Sequence, residues 1–336
     1  MPENTTKIRL MKLYETLAGE SDEEHPISRR ELAERLIRQG IPCHERTVTR
    51  DIETLGRFGY EVITEFRGHE KYYYVPERRF SVPELKILID AVQAASFVTP
   101  KKTEQIVDKI AALGGSHKKL LLKRYRAEFN SRKHSNESIL YNVDSIERAI
   151  QNGKQIAFAY FDLDADMKPV YRTRTDGARK RYQIEPVALI LSEDNYYLMA
   201  YNAKYPDHTS NYRVDRMDFV EVIEDSEISE EALLKQEGVA KYTAQSFRMH
   251  SGEPARVKLM FHKYLIAPLV DKFGEGLRIK TLDDEFCTTT VDVIVSKTFF
   301  GWLAQFEGDA VIAAPEWVRK RFREHLLTII EKTDKH

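Results

Sequence analysis

Between Leu10 and Leu55 three short amphipathic stretches follow one another, and the second and third are separated by a turn of only a few residues. Leu10, Leu13, Tyr14 and Leu17 recur at i, i+3, i+4 and i+7, one buried helical stripe that closes at Gly19. Ser28 with Glu31 makes a capping box for the next helix, Ile27 can staple onto Leu32, and Leu32, Ala33, Leu36 and Ile37 form its apolar face up to Gly40. After Ile41-Pro42-Cys43 a third helix buries Val48, Ile52 and Leu55. Its other face carries Arg46, Arg50, Glu53 and Arg57, with Thr47 and Thr49 beside them. Two β-like runs, Tyr60–Phe66 and Lys71–Val75, then meet at a turn containing Gly68. Helices joined by so short a turn and followed by a hairpin predict a winged helix-turn-helix over residues 1–80.

Charge neither advertises nor forbids a nucleic-acid partner. The 336-residue chain has a net charge of −1, and its N-terminal acid is concentrated in Glu20-Ser21-Asp22-Glu23-Glu24. A DNA surface here must come from placement of charge. The third helix offers Arg and Thr at its first exposed turn, where a recognition helix meets base edges and phosphates. The candidate double-stranded DNA (operator) contacts are Ser28, Arg29, Arg46, Thr47, Thr49, Arg50, Arg57 and Arg67. A three-helix bundle with a solvated polar face is the alternative.

The stretch ISRRELAERL…HERTVTRDIETLGRFGYEV with its hairpin resembles the N-terminal domain of the bacterial WYL-domain transcriptional regulators. In that family a segment R-T-[VI]-x-R-D-[IL]-x-x-L is the recognition helix, and Arg46 to Ile52 with Leu55 matches it. His44 stands where Ser or Thr often caps this helix.

Residues 81–139 read as a helical linker and dimerisation region. Ser81-Val82-Pro83-Glu84 starts one helix, Thr99-Pro100 breaks it, and a second run ends at Gly114-Gly115. From His117 to Lys133 there are seven Lys/Arg and one acid, either a backbone-binding patch or a solvated helix face.

From about Leu140 the period changes to two. After a short helix, Val143–Asn152, five strands are predicted, around Ile156–Tyr160, Tyr182–Leu191, Asn195–Tyr201, Asn211–Asp215 and Phe219–Ile223, which suggests a small antiparallel barrel over 140–228. Asp194-Asn195-Tyr196-Tyr197-Leu198 resembles the segment that names the WYL family, with Tyr196 for Trp. Arg181–Pro186 and Asn211–Met217 resemble its flanking strands. The resemblance implies an SH3- or Sm-like barrel that binds a regulatory ligand, small and anionic or nucleotide-like. Arg181, Arg213 and Arg216 offer guanidinium forks for phosphate, and Tyr160 and Tyr197 offer stacking faces. The alternative makes the tyrosines core residues and pairs the arginines with Glu185 and Asp215.

Residues 250–333 follow the order βαββαβ, which fits a ferredoxin-like α/β sandwich. Trp302, Phe306, Gly308, Val311 and Pro315 resemble the C-terminal extension of WYL regulators. The expected class is therefore α+β throughout.

Catalytic signatures are not found. Asp162, Asp164 and Asp166 mimic a calcium loop, but Met167 and Thr173 stand where Gly and Glu are needed. There is no Walker-type phosphate loop, His-Glu-x-x-His or Gly-x-Ser-x-Gly, and ten scattered histidines show no metal-ligand spacing. Cys43 and Cys287 lie far apart, which fits a reducing compartment. No apolar run is long enough to span a membrane, and the N-terminus lacks the features of a signal peptide. These features lead to the expectation of a cytoplasmic, homodimeric, ligand-modulated transcription regulator with no enzymatic activity, cofactor or metal. The rival is a nucleic-acid-sensing accessory protein of a defence system without promoter control.

Overall fold

The computed structural model describes residues 2–76, 80–124, 133, 137–204 and 209–335. The chain forms two compact units, Met1–Ser135 and Asn136–His336. Both mix helices with antiparallel sheet, as the α+β expectation requires.

In the first unit α1 (Pro2–Glu20) leads to a two-residue strand β1 (Ile27–Ser28), α2 (Arg29–Arg38), α3 (Glu45–Arg57) and the hairpin β2 (Ile63–Arg67) and β3 (Glu70–Tyr74). The expected staple at Ile27 becomes something larger. Ile27 pairs with Tyr73 across an antiparallel bridge, so the hairpin gains a third strand in the order β1-β3-β2. Leu13, Leu17, Leu32, Leu36, Val48, Ile52 and Leu55 bury together with Tyr73 in one core.

Three helices complete this unit: α4 (Val82–Ala94), α5 (Pro100–Leu113) and α6 (Gly115–Arg124). Ser81 and Glu84 close a reciprocal capping box on α4, and Thr99 caps α5 with Pro100 in its first turn. Gly114-Gly115 does not end the helical region, because α6 restarts at Gly115. A Cβ on Gly114 would stand 3.1 Å from Leu122 and 3.2 Å from Leu85, and Gly115 takes a φ of +78°. Glycine thus permits both the tight helix contact and the sharp turn. Residues 125–132 of the basic stretch 117–133 lie outside the described residues.

The second unit begins with α7 (Ile139–Gln151), followed by β4 (Gln155–Leu163), β5 (Pro169–Tyr171), β6 (Arg181–Ser192), β7 (Asn195–Tyr201), β8 (Ser210–Arg213) and β9 (Met217–Ile223). The sheet runs β5-β4-β6-β7-β8, with β9 on the other side of β4. Strand β6 is long enough to pair with β4 through its first residues and with β7 through the rest, which curls the sheet. Val214–Arg216 is a 3₁₀ turn, not the end of a strand, so Arg216 lies on a turn and not on the strand face expected for it. Two short helices, α8 (Glu230–Glu237) and α9 (Val239–Gln245), follow. Ala232 of α8 joins Val187, Ile190, Met199 and Tyr201 in an apolar cluster on the β6–β7 face.

The remaining elements are β10 (Glu253–His262), α10 (Ile266–Phe273), β11 (Ile279–Thr281), β12 (Phe286–Val295), α11 (Lys297–Ala304), β13 (Ala310–Ala314) and α12 (Glu316–Thr333). Their order is βαββαβ plus a terminal helix. The antiparallel sheet runs β11-β12-β10-β13, the split βαβ arrangement in which the first and third strands are central. Phe261, Phe299, Leu269, Val293 and Val318 fill the space between sheet and helices. No described helix is long and apolar enough to cross a membrane.

Candidate functional sites

Helix α3 is built as an amphipathic rod. His44, in extended conformation, caps it, and its Nδ1 accepts from the Arg46 amide at 3.3 Å, so an imidazole supplies the cap that Ser or Thr would. Val48, Asp51, Ile52 and Leu55 share the buried stripe. Asp51 is an acid among apolar residues, and its partner is Arg9 on α1, which donates to both carboxylate oxygens at 2.5 and 3.2 Å. The hydrogen bonds to Asp51 raise the Arg9 pKa despite its burial. Sequence reading passed over Asp51, although its i+3 spacing from Val48 places it on the buried stripe.

The eight candidate DNA contacts separate into two sets. Ser28 caps α2 by accepting from the Glu31 amide at 3.1 Å, Arg29 pairs with Glu45 at 3.0 Å, and Thr49 shares a hydrogen bond with the Tyr73 hydroxyl at 3.1 Å. Arg67 pairs with Glu65 across 3.1 Å and lies over the Tyr72 ring. These four side chains hold the helix-turn and hairpin in shape. Arg46, Arg50 and Arg57 are exposed, and among the described residues none of them forms an ion pair. Thr47 is half-buried beside them. At 1.5 Å rise per residue the three arginines mark a stripe roughly 16 Å long.

In the second unit the candidate ligand residues do not gather as expected. Tyr160 is 6% exposed, and its hydroxyl accepts from the Arg213 amide at 3.2 Å. Burial pushes its phenol pKa up. It is a buried hub, not an open stacking face. Tyr197 is half-buried and packs against the Val187–Tyr201 cluster. Arg213 donates to both oxygens of Asp215 at 2.9 Å and to Asn195 at 2.6 Å. Burial works against its charge, but the Asp215 hydrogen bonds together with the charge of Asp215 and the neighbouring tyrosines outweigh this, and its pKa rises. Arg181 alternates with Tyr182, so it projects from the other face of the sheet, where it pairs with Glu221. Arg216 approaches Asp162 at 3.7 Å. Glu185 pairs with none of them and instead accepts from the Ser229 amide and hydroxyl at the start of α8.

What the fold does assemble is an aromatic cluster with a basic edge. Phe158, Tyr160, Tyr182 and Tyr212 lie 5.2 to 6.4 Å apart between ring centroids. Arg172 sits 4.8 Å over the Tyr160 ring and Lys180 lies 4.5 Å over Tyr182. Arg172 also pairs with Asp162 at 2.9 Å, the carboxylate that Arg216 approaches, and this hydrogen bond raises the Arg172 pKa. Sequence reasoning missed Arg172. The signal available for it was its place in a dense run of cations, Arg172 to Arg181, ahead of the strand that carries Tyr182.

Residues 141–222, which carry this cluster, match the family model described as WYL domain. The chain thus contains a region that matches the WYL domain. Residues 253–330 match the WCX domain, so both strand-rich regions of the second unit have a family description. Among solved structures the chain is similar to the proteasome accessory factor B/C (PafBC) of Arthrobacter aurescens, at 17% identity and a TM-score of 0.26. That match covers 94% of this chain and 47% of the other, so the chain spans about half the length of PafBC. It is also similar to a CRISPR Cas-related protein, at 12% identity, 75% and 72% coverage and a TM-score of 0.36. No curated protein matches it significantly.

Proposed function

We propose that this protein is a sequence-specific DNA-binding transcriptional regulator whose affinity for DNA is set by a ligand on the WYL domain. The observation that carries this reading is the stripe of Arg46, Arg50 and Arg57, exposed on a helix whose other face is locked by Val48, Ile52, Leu55 and the Arg9–Asp51 pair. Unpaired guanidiniums on a rigid helix meet phosphates and guanine edges without first giving up a carboxylate. In this reading α2 and α3 are the helix-turn-helix and β2–β3 is the wing. Residues 1–80 form the reader, 81–139 a linker, 140–228 the sensor and 250–333 the C-terminal sandwich. The protein works in the cytoplasm as a homodimer on two half-sites about 34 Å apart, and it has no catalytic role.

The strand order β9-β4-β6-β7-β8, with a 3₁₀ turn before β9, supports an SH3-like barrel for the sensor. Its ligand is anionic or nucleotide-like and meets Arg172, Arg216 and Arg213 around the Tyr160 hub. Asp162 and Asp215 hold these guanidiniums in the absence of ligand, so a phosphate displaces carboxylates. Ligand and DNA then change each other's affinity by one shared factor, typically about 5- to 150-fold.

The test is selection of duplexes from a random pool by the full chain, followed by titration at physiological salt. A regulator enriches a two-part motif and prefers it by at least about 10³-fold over random duplex. Equal binding to all sequences would favour the nucleic-acid-sensing accessory protein, and absence of duplex binding would overturn the reading.

A further inference from the structure

The loop between α1 and α2 was prominent in the sequence only as an acidic run, yet its geometry is specialised. Asp22 is 5% exposed, and among the described residues its Oδ2 has no hydrogen-bond partner. Its Oδ1 accepts from the amides of Glu24 at 3.1 Å and His25 at 2.9 Å and faces His25 Nδ1 at 2.8 Å. A carboxylate oxygen of Asp22, one of Glu24 and a ring nitrogen of His25 all lie within 4.8 Å of one another. A buried carboxylate oxygen without a donor costs stability unless something else satisfies it.

We propose that Asp22, Glu24 and His25 bind a divalent first-row transition-metal ion. A metal held at about 2.1 Å by an imidazole nitrogen and a carboxylate oxygen separates those two atoms by about 3 Å at the right angle of octahedral coordination and by about 3.4 Å at the tetrahedral angle. The 2.8 Å between His25 Nδ1 and Asp22 Oδ1 therefore needs to open by about 0.2 to 0.6 Å. The orphan Oδ2 supplies a second carboxylate position. One imidazole with two carboxylates suits zinc, cobalt or manganese; calcium takes six to eight oxygens.

The His25 ring is already oriented. It stacks on His117 of α6 with centroids 3.8 Å apart and planes 4° from parallel, and His117 Nε2 lies 3.1 Å from the Glu20 carbonyl oxygen. His117 thus orients the ligand without being one, because parallel rings direct their lone pairs past each other. The same loop reaches the hairpin, since Ser21 Oγ accepts from the Val75 amide at 3.2 Å. A bound cation stiffens a joint shared by α1, α6 and the end of β3.

The charged groups facing this loop are Glu20, Glu23, Glu24, Arg35 and Lys118; Arg35 is paired with Glu20, and Lys118 acts on Asp22. Burial pushes the Asp22 carboxyl up, but the hydrogen bonds from His25 outweigh it and hold it below its ordinary value. Asp22 is therefore ionised at neutral pH.

The test uses the untagged full chain stripped with chelator, titrated with Co²⁺ by visible absorption and with Zn²⁺ by calorimetry. One equivalent of Co²⁺ with nitrogen-and-oxygen ligation, displaced by Zn²⁺, is expected. His25→Gln and Glu24→Gln should each weaken binding at least about tenfold, while Glu23→Gln leaves it unchanged. Glu24 and His25 are largely exposed, so both variants keep the fold, and circular dichroism checks this. Absence of binding, undiminished binding in both variants, or equal displacement by Ca²⁺ would overturn the proposal. The outcome does not depend on whether the chain binds DNA.

Discussion

The arginines of α3 and those of the WYL domain are chemically alike but sit in opposite circumstances. Arg46, Arg50 and Arg57 are exposed without ion pairs among the described residues, whereas Arg172, Arg181, Arg213 and Arg216 each have a carboxylate neighbour. A free guanidinium on a solvated helix binds an anion at the cost of its hydration alone. A paired one must also release its partner, so its response depends on what displaces the carboxylate. The first arrangement suits a surface always ready to bind, and the second suits a surface that changes state.

The largest effect should come from the pair that makes the free stripe possible. Asp51→Ala leaves the Arg9 guanidinium buried at 13% side-chain exposure without its acceptor. It should destabilise the first unit by about 3 kcal/mol, read by urea denaturation. Replacing the pair together, Arg9→Met with Asp51→Leu, should cost much less. Equal losses in the two experiments would mean that the helix contact, not the charge, matters.

Next comes the paired set. Arg213→Ala removes charge-assisted hydrogen bonds to Asp215 and Asn195 in a half-buried place, which should cost about 1–2 kcal/mol of stability. Arg181→Ala, by contrast, breaks an exposed pair with Glu221 and should cost less than about 0.5 kcal/mol. If the two variants lose stability equally, burial does not distinguish the paired arginines. Smallest of all on stability is Arg57→Ala, which should leave unfolding unchanged. On the proposed reading its effect on DNA binding should be a phosphate effect, lowering the salt-dependence slope by about one unit across all sequences.

Much of the fold was legible because its signals are local. Ser28 and Ser81 start their helices as their sequence positions imply, although Glu31 pairs with Arg35 and does not complete the box with Ser28, and alternation located the strands of the WYL domain except the three-residue β5. The β1 strand at Ile27–Ser28 was not legible, since two residues carry no period and its partner Tyr73 lies 46 positions away. The candidate ligand site was least legible. Arg181, Arg213 and Arg216 looked equivalent as residue types, but strand parity sends Arg181 to the other face and a 3₁₀ turn lifts Arg216 off the strand. Parity relative to Tyr182 was readable in advance. The Arg172–Asp162 pair was not, because it depends on how the β4–β5 hairpin folds back.

The central claim, that α3 reads DNA, is tested most directly by titrating a selected duplex and a scrambled one with the parent, Arg46→Ala and Arg50→Ala. Each variant should lose about 1–3 kcal/mol on the selected duplex and much less on the scrambled one, with unfolding unchanged. If both variants bind the selected duplex as tightly as the parent, the stripe on α3 is a solvated face and the account is wrong.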